Sequence, residues 1–215
     1  MILVFFGPMT ALIIDTSTDR SLIAISKGKK ILSFQVLTHG NKISKFLFPS
    51  ISQLLDRCNI KMKELDYISV GTGPGSYTGT RVGATVAKSL SFALGLPVVG
   101  FCSLQAFLPD RNGSFAIAAA TKMQQVFLLK GKIHEEETHL EEPCQIPLQD
   151  MPAALECTDL IVSPNPDLLK ELFKSEQAEF NQGRLAGCIY EHYLKRENAF
   201  DNRLELTYFH NPAKF

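Results

Sequence analysis

Between Gly71 and Gly95 the chain reads GTGPGSYTGTRVGATVAKSLSFALG, a glycine-rich turn that leaves an apolar strand and runs without a break into a helix. The preceding Asp66-Tyr67-Ile68-Ser69-Val70 is short, β-branched and aromatic, as a buried strand is. After the turn, Val82, Val86, Leu90 and Leu94 recur at helical spacing and Gly95 stands where it would end the helix. A second series lies on the same helix: Gly79, Gly83, Ala87, Ser91 and Gly95 are all small and four residues apart. Four steps advance the direction only about 40° past a full turn, so these residues form a furrow beside the core-facing stripe. Glycine inside a helix costs roughly 1 kcal/mol relative to alanine, so two of them imply close packing. Whether the element packed into the furrow belongs to this chain or to another polypeptide is open at this level; if to another, Gly83→Leu is expected to block the association while leaving the monomer folded.

The elements around this stretch follow from pattern. Ala11 to Asp15 is an apolar strand ending in a carboxylate and three hydroxyls, Thr16, Ser17 and Thr18. Ser21 to Ser26 and Lys30 to Val36 are strands joined at Lys27-Gly28-Lys29, giving an antiparallel meander. Asn41 to Arg57 reads as an amphipathic helix, with Pro49 predicting a kink or a late start. Pro97 to Phe101 is a strand, and Ser103 caps a brief helix. In the second half, Ser114 to Ala119, Gln125 to Lys130 and Asp159 to Ser163 read as strands, with a turn at Gly131. Glu135 to Pro152 reads as an irregular excursion, Asp167 to Lys174 and Arg184 to Arg196 as helices, and Leu204 to Phe209 as a last strand. The expectation is an α/β fold of two related lobes with mixed sheets, 9–110 and a reduced 111–215, divided at Pro109-Asp110-Arg111-Asn112-Gly113. Residues 1–8 read as an extension, because they lack a basic leader and a small-residue cleavage site.

Charge and cysteine usage narrow the function classes. Lys and Arg number 22 against 22 Asp and Glu over 215 residues. Residues 1–110 carry 11 basic and 6 acidic side chains, net +5, and residues 111–215 carry 11 and 16, net −5. No dense basic run argues for a duplex-gripping surface. The five cysteines are scattered without a C-x-x-C pair, which favours a reduced, cytoplasmic setting. No apolar run reaches the roughly 18 residues that span a bilayer.

Candidate chemistry is sparse. Gly73-Pro74-Gly75-Ser76-Tyr77-Thr78-Gly79 is a loose G-x-G-x-x-x-G between strand and helix, so Gly73 and Gly75 are nucleotide or anion candidates, with Asp15, Thr16 and Ser17 at the neighbouring strand end. Against a dinucleotide, no Asp or Glu lies between Arg81 and Gln105, and Pro74 removes one donor. The turn fails as a Walker loop for want of a Gly-Lys pair, and as a nucleophile elbow because Pro74 stands two residues before Ser76. His134 and His139 are five apart, about 140° on a helix, which does not suit chelation. No catalytic residue and no metal site is expected. The residues leave a phosphotransferase or hydrolase using Asp15, the Gly73 turn, nucleotide and Mg²⁺, and a dinucleotide oxidoreductase, as alternatives.

The run GPGSYTGTRVG, the following LPVVG and the early Ile14-Asp15-Thr16-Ser17-Thr18 resemble the bacterial TsaB (YeaZ) family, whose members carry a run like GPGSFTGLRIG. The resemblance covers residues 11 to about 107. Farther on, Gln125-Val126-Phe127 stands where the family has Glu-Val-Tyr, the family's upstream aspartate falls on Ala120, and Leu206-Thr207-Tyr208-Phe209 stands where it has Pro-x-Tyr-Leu. The resemblance implies an actin-like ATPase-type fold and an accessory, noncatalytic role in forming threonylcarbamoyladenosine at tRNA position 37. It implies as partners a metal-bearing TsaD-like transferase and a TsaE-like ATPase, a homodimer when the chain is alone, and tRNA reached through the complex. No cofactor is required on this reading, with ATP or ADP at the partner interface the one candidate. The expected contact residues are His39, Phe46, Tyr77, Thr78, Gly79, Arg81, Gly83 and Ala87, on the two helices of the first lobe.

Overall fold

β1 (Thr10–Asp15), β2 (Ser21–Lys27), β3 (Lys30–Leu37), β4 (Tyr67–Gly71) and β5 (Val98–Phe101) form one sheet in a computed structural model that describes residues 7–18, 20–38, 43–121, 123–135, 137–170, 174–195 and 204–209. Their order is β3-β2-β1-β4-β5, with β1–β2 and β2–β3 antiparallel and β1–β4 and β4–β5 parallel. β1 is buried along its whole length, which is why it reads as unbroken apolar sequence rather than as an alternation. On one face Leu12, Ile14, Ile23 and Ile25 meet Leu47, Ile51 and Leu54 of α1 (Ile43–Arg57) and Ala87 and Leu90 of α2 (Tyr77–Leu94). Tyr67 of β4 stacks on Tyr193 of the last helix, α4 (Gln182–Lys195), with ring centroids 4.0 Å apart.

α1 is continuous through Pro49 and does not start late at it. The amide that proline lacks would have bonded to the carbonyl of Lys45, and both residues lie on the exposed side, where water serves that carbonyl. α2 is capped at both ends, at Gly95 as the sequence foretells and at Ser76 besides. The Ser76 hydroxyl accepts from Gly79 N–H at 3.2 Å, and Gly95 adopts φ 67°, left-handed, at the other end. The Gly73–Pro74 peptide is cis.

The second sheet repeats the first. With β6 (Gly113–Ala120), β7 (Gln125–His134), β8 (Glu137–Leu140), β9 (Cys144–Pro147), β10 (Leu160–Ser163) and β11 (Glu176–Gln177), the order is β11-β10-β6-β7-β8, and β9 also pairs with β7. Counted from each unit's first strand, both sheets run 3-2-1-4-5, with the third position shared here by β8 and β9. The first three positions are antiparallel and the last two parallel in both. The helices are what shrink. In place of α1 stands α3 (Met151–Ala154), and between β10 and β11 the described residues hold a 3-10 turn, Pro166–Leu168; residues 171–173 of the helix expected from Asp167 to Lys174 lie outside the described residues.

Three further expectations are corrected. Gly131 is not a turn, because β7 continues through it, and a side chain there would meet the Phe115 ring at 2.8 Å. Residues 135–152 are not irregular: the two halves of the ten-residue β7 each need a partner, and β8 and β9 supply them. Leu204 to Phe209 is not a strand, although Thr207 N–H donates to Thr72 O at 2.8 Å.

The chain divides into Met1–Ser103 with Ala186–Thr207, and Leu104–Leu185 with Tyr208–Phe215, rather than at residue 110. The turn formers at 109–113 do not act as a linker. Phe107 stacks on Phe180 at 5.0 Å, and the Asn181 amide donates to Leu108 O at 2.7 Å, so this segment is packed into the second unit. Among the described residues no helix is long and apolar enough to cross a membrane.

Candidate functional site

The glycine turn and the end of β1 come together, as the sequence leads one to expect, but they close on each other. β1 and β4 are parallel neighbours, so Asp15 and Gly71 finish side by side, and a Cβ on Gly71 would lie 2.5 Å from the Asp15 carboxyl carbon. Asp15 is only 5% exposed. It accepts Ser17 N–H at 2.8 Å, and burial raises its pKa above the ordinary carboxylate value while the Ser17 amide and the Ser17 and Ser103 hydroxyls pull it down. The donors that could have cradled a phosphate are taken. Gly73 N–H goes to the Ser103 hydroxyl at 3.1 Å, Ser76 N–H to Ser17 O at 2.6 Å, and Gly79 N–H to the Ser76 hydroxyl. Gly75 carries no side chain because a Cβ there would collide with Ser17. Thr16 and Ser17 are buried under the start of α2, with the Thr16 hydroxyl donating to Gly79 O at 2.6 Å. The anion reading of Asp15, Thr16, Ser17, Gly73 and Gly75 thus meets a packed seam in which the Gly73, Ser76 and Gly79 amides already bond within the chain, while the buried Ser17 hydroxyl has no hydrogen-bond partner among the described residues.

The furrow on α2 is corrected by the same contacts. Gly79, Gly83, Ala87 and Ser91 are all buried. A Cβ on Gly79 would strike Thr16 O, and one on Gly83 would stand 2.5 Å from the Thr16 hydroxyl and 3.6 Å from Ile14 and Val70. The groove is filled by β1 and β4 of the same chain, so these three predicted contact residues cannot meet a partner, and Gly83→Leu would damage the fold rather than spare it. The small residues are the core-facing line itself. Val82, Val86 and Leu94, expected in the core, are half-buried at its edge.

What α2 turns outward is its other side. Tyr77, Thr78, Arg81 and Thr85 are exposed, and the Arg81 guanidinium lies 3.9 Å from the centre of the Tyr77 ring. These residues, with Ser44 of α1 and the flanks of Val82 and Val86, line an open cavity of about 410 Å³. Phe46 is half-buried on α1, with the Lys45 ammonium 5.8 Å from its ring, and His39 lies outside the described residues. Two large apolar side chains that the sequence reading passed over lie on the same helices: Phe48 is 51% exposed and Phe92 is 92% exposed. Phe92 falls seven residues after Thr85, two helical turns on and one face, so the signal was the outward stripe 78-81-85-92 rather than the small-residue one. Among the described residues no group of three His, Cys, Asp or Glu side chains is placed to hold a metal ion.

Two mixed sheets of order 3-2-1-4-5, each with its crossovers on a helix or its remnant, define a protein of the actin-like ATPase-type fold, its second lobe reduced. The fold matches that of YeaZ from Pseudomonas aeruginosa with a TM-score of 0.70 at 21% identity, covering 86% of this chain and 92% of that one. A second crystal structure, of an uncharacterized protein with similarity to peptidase YEAZ from Pseudomonas aeruginosa, matches with a TM-score of 0.73 at 20% identity over 93% and 99% of the two chains. Residues 40–145 match the family model described as TsaD, tRNA N6-adenosine threonylcarbamoyltransferase. Proteins named tRNA threonylcarbamoyladenosine biosynthesis protein TsaB are similar in sequence. The one from Buchnera aphidicola (Schizaphis graminum) is 32% identical over 121 residues, 54% of this chain and 57% of that protein. The one from Bacillus subtilis is 35% identical over 97 residues, 45% and 42%. The matches span about half the length of the curated relatives. Over the matched half the chain is similar in sequence to proteins of the TsaB family, and its fold is that of YeaZ.

Proposed function

We propose that this chain is an accessory protein for threonylcarbamoyladenosine formation at tRNA position 37, performing no reaction itself, and that it docks a TsaD-like transferase on the outward faces of α1 and α2. Two observations support the docking face. Phe92 is 92% exposed on a helix whose opposite side is fully packed, and the 410 Å³ cavity between the helices opens on the same side. Burying one such phenylalanine contributes roughly 1.5–3 kcal/mol, so a partner that covers it gains a central anchor. The occupant is suggested by kinship. Because residues 40–145 resemble a TsaD model, a TsaD-like chain would present a related helix pair, and two related surfaces can meet about a pseudo-two-fold axis. The same logic allows a second copy of this chain to take the place when the transferase is missing. A TsaE-like ATPase would join the pair, with ATP or ADP held at that interface rather than in the closed seam around Asp15.

The rival reading, a nucleotide-hydrolysing enzyme, draws on the perturbed, buried Asp15. It would need the Gly73, Ser76 and Gly79 amides that the chain already uses. Reconstituting the tRNA modification from purified components, with and without this chain, separates the two. Product lost on omission, together with no ATP turnover by the chain alone that Asp15→Ala abolishes, is expected; undiminished product without the chain sinks the accessory reading. Phe92→Asp with Arg81→Glu should abolish co-purification with the transferase while leaving far-UV circular dichroism and Tm unchanged.

A further inference from the structure

The end of the first sheet opposite the glycine turn gathers lysines that are far apart in sequence. β1 and β4 begin there and β2 turns into β3 there, because β1 is parallel to β4 and antiparallel to β2. Thr10 is in register with Lys27, and Lys27 with Lys30. Gly28 N–H donates to Met9 O at 2.8 Å, and Asp66, on entering β4, accepts Thr10 N–H at 2.6 Å and returns its own N–H to Thr10 O at 2.8 Å. The 3-10 turn Met62–Glu64 leads directly to that point. Lys27, Lys29 and Lys30 of the hairpin and Lys61 and Lys63 of the loop therefore stand on one rim, all exposed. From β3 to β4 is three interstrand spacings, about 14 Å.

The rim's carboxylates are engaged elsewhere. Glu64 accepts Lys61 N–H at 2.7 Å, Asp66 holds Thr10, and Glu191 pairs with Lys29 at 2.9 Å. Among the described residues no carboxylate stands within ion-pair distance of Lys27, Lys30, Lys61 or Lys63. Five ammonium groups against the carboxylates of Glu64, Asp66 and Glu191 leave the rim net positive, and its two lysine clusters make a site for a polyanion long enough to bridge them, as a nucleic-acid backbone with its repeating phosphates is. We propose that this lysine rim contacts the phosphate backbone of the RNA whose modification the chain supports, a reading that rests on the function proposed above.

The test is fluorescence anisotropy of a labelled, unmodified tRNA transcript titrated with the full chain between about 50 and 200 mM salt, the range over which phosphate contacts are read as a slope. Wild type should bind at roughly 1–100 μM with affinity falling as salt rises. The variant Lys27→Gln, Lys30→Gln, Lys61→Gln, Lys63→Gln should lose about 3 from the slope of log K against log salt, at about 0.7–0.9 per phosphate contact. Lys132→Gln with Lys170→Gln, in the second unit, should leave the slope as it is. An unchanged slope in the fourfold variant with an unchanged melting curve, no binding by wild type, or capture by phosphatidylserine vesicles without RNA binding, each overturns the inference. Failure of the accessory reading is separate, since it shows as undiminished product when the chain is omitted.

Discussion

Replacing Gly79 with alanine separates two packings of α2 by the sign of the stability change. Were the small-residue line open to solvent, alanine would stabilise the helix by about 1 kcal/mol through propensity alone. In the structure the added methyl would fall within 3 Å of Thr16 O, a backbone atom that cannot rotate away. Either α2 withdraws from β1 or the Thr16 turn moves. Overpacking of this kind costs about 1–3 kcal/mol. Withdrawal also breaks the buried bond from the Thr16 hydroxyl to Gly79 O, 2.6 Å long, at a further 1–3 kcal/mol or so. Set against the propensity gain, the net change is a loss of about 3 kcal/mol. For a chain of this size it corresponds to a Tm lower by roughly 6–12 °C. Urea and thermal unfolding followed by far-UV circular dichroism measure it. A variant as stable as wild type, or more stable, would refute the filled groove and restore a partner-facing furrow.

Two other perturbations read the seam and the second unit. Asp15 has a folded pKa above the ordinary 3.8, so its contribution to stability is full below about pH 4 and is lost as pH rises through the raised value. Asp15→Asn keeps an acceptor for Ser17 N–H and removes that loss, so its Tm should gain on wild type between pH 4 and pH 7; a wild type that pulls ahead at pH 7 contradicts the assignment. In the second unit the Asn165 side chain joins two strand ends, accepting Ala120 N–H at 3.2 Å and donating to Ala120 O at 2.8 Å. Asn165→Ala should cost about 1–3 kcal/mol and speed hydrogen exchange at the Ala120 amide, and an unaltered exchange rate would show the bridge to be idle.

Where strands were legible, the reason is local. β1, β2, β4 and β6 are buried along most of their length, so hydrophobicity alone marks them, and Gly95 marks the end of α2. β8 and β9 were hidden because each is four residues long and largely polar, and they exist only because β7 offers an edge. Leu204 to Phe209 misled in the opposite sense, since an apolar alternation was spent on packing against Gly100 and Gly73 rather than on pairing.

The amino-acid order by itself determined that a strand, a glycine turn and a helix follow one another, that the helix would pack closely on one side, and that the chain resembles the TsaB family. All of these depend on neighbours within a few turns of chain or on matching residues. What lay against the small-residue side was decided in three dimensions, by Thr16 arriving from sixty-three positions away to fill it. With that side taken, Phe92 and Arg81 are left facing out, and the lysines of two separate loops are brought to one rim by strand pairing. Periodicity tells which residues share a face, but which face meets solvent depends on how distant strands are paired.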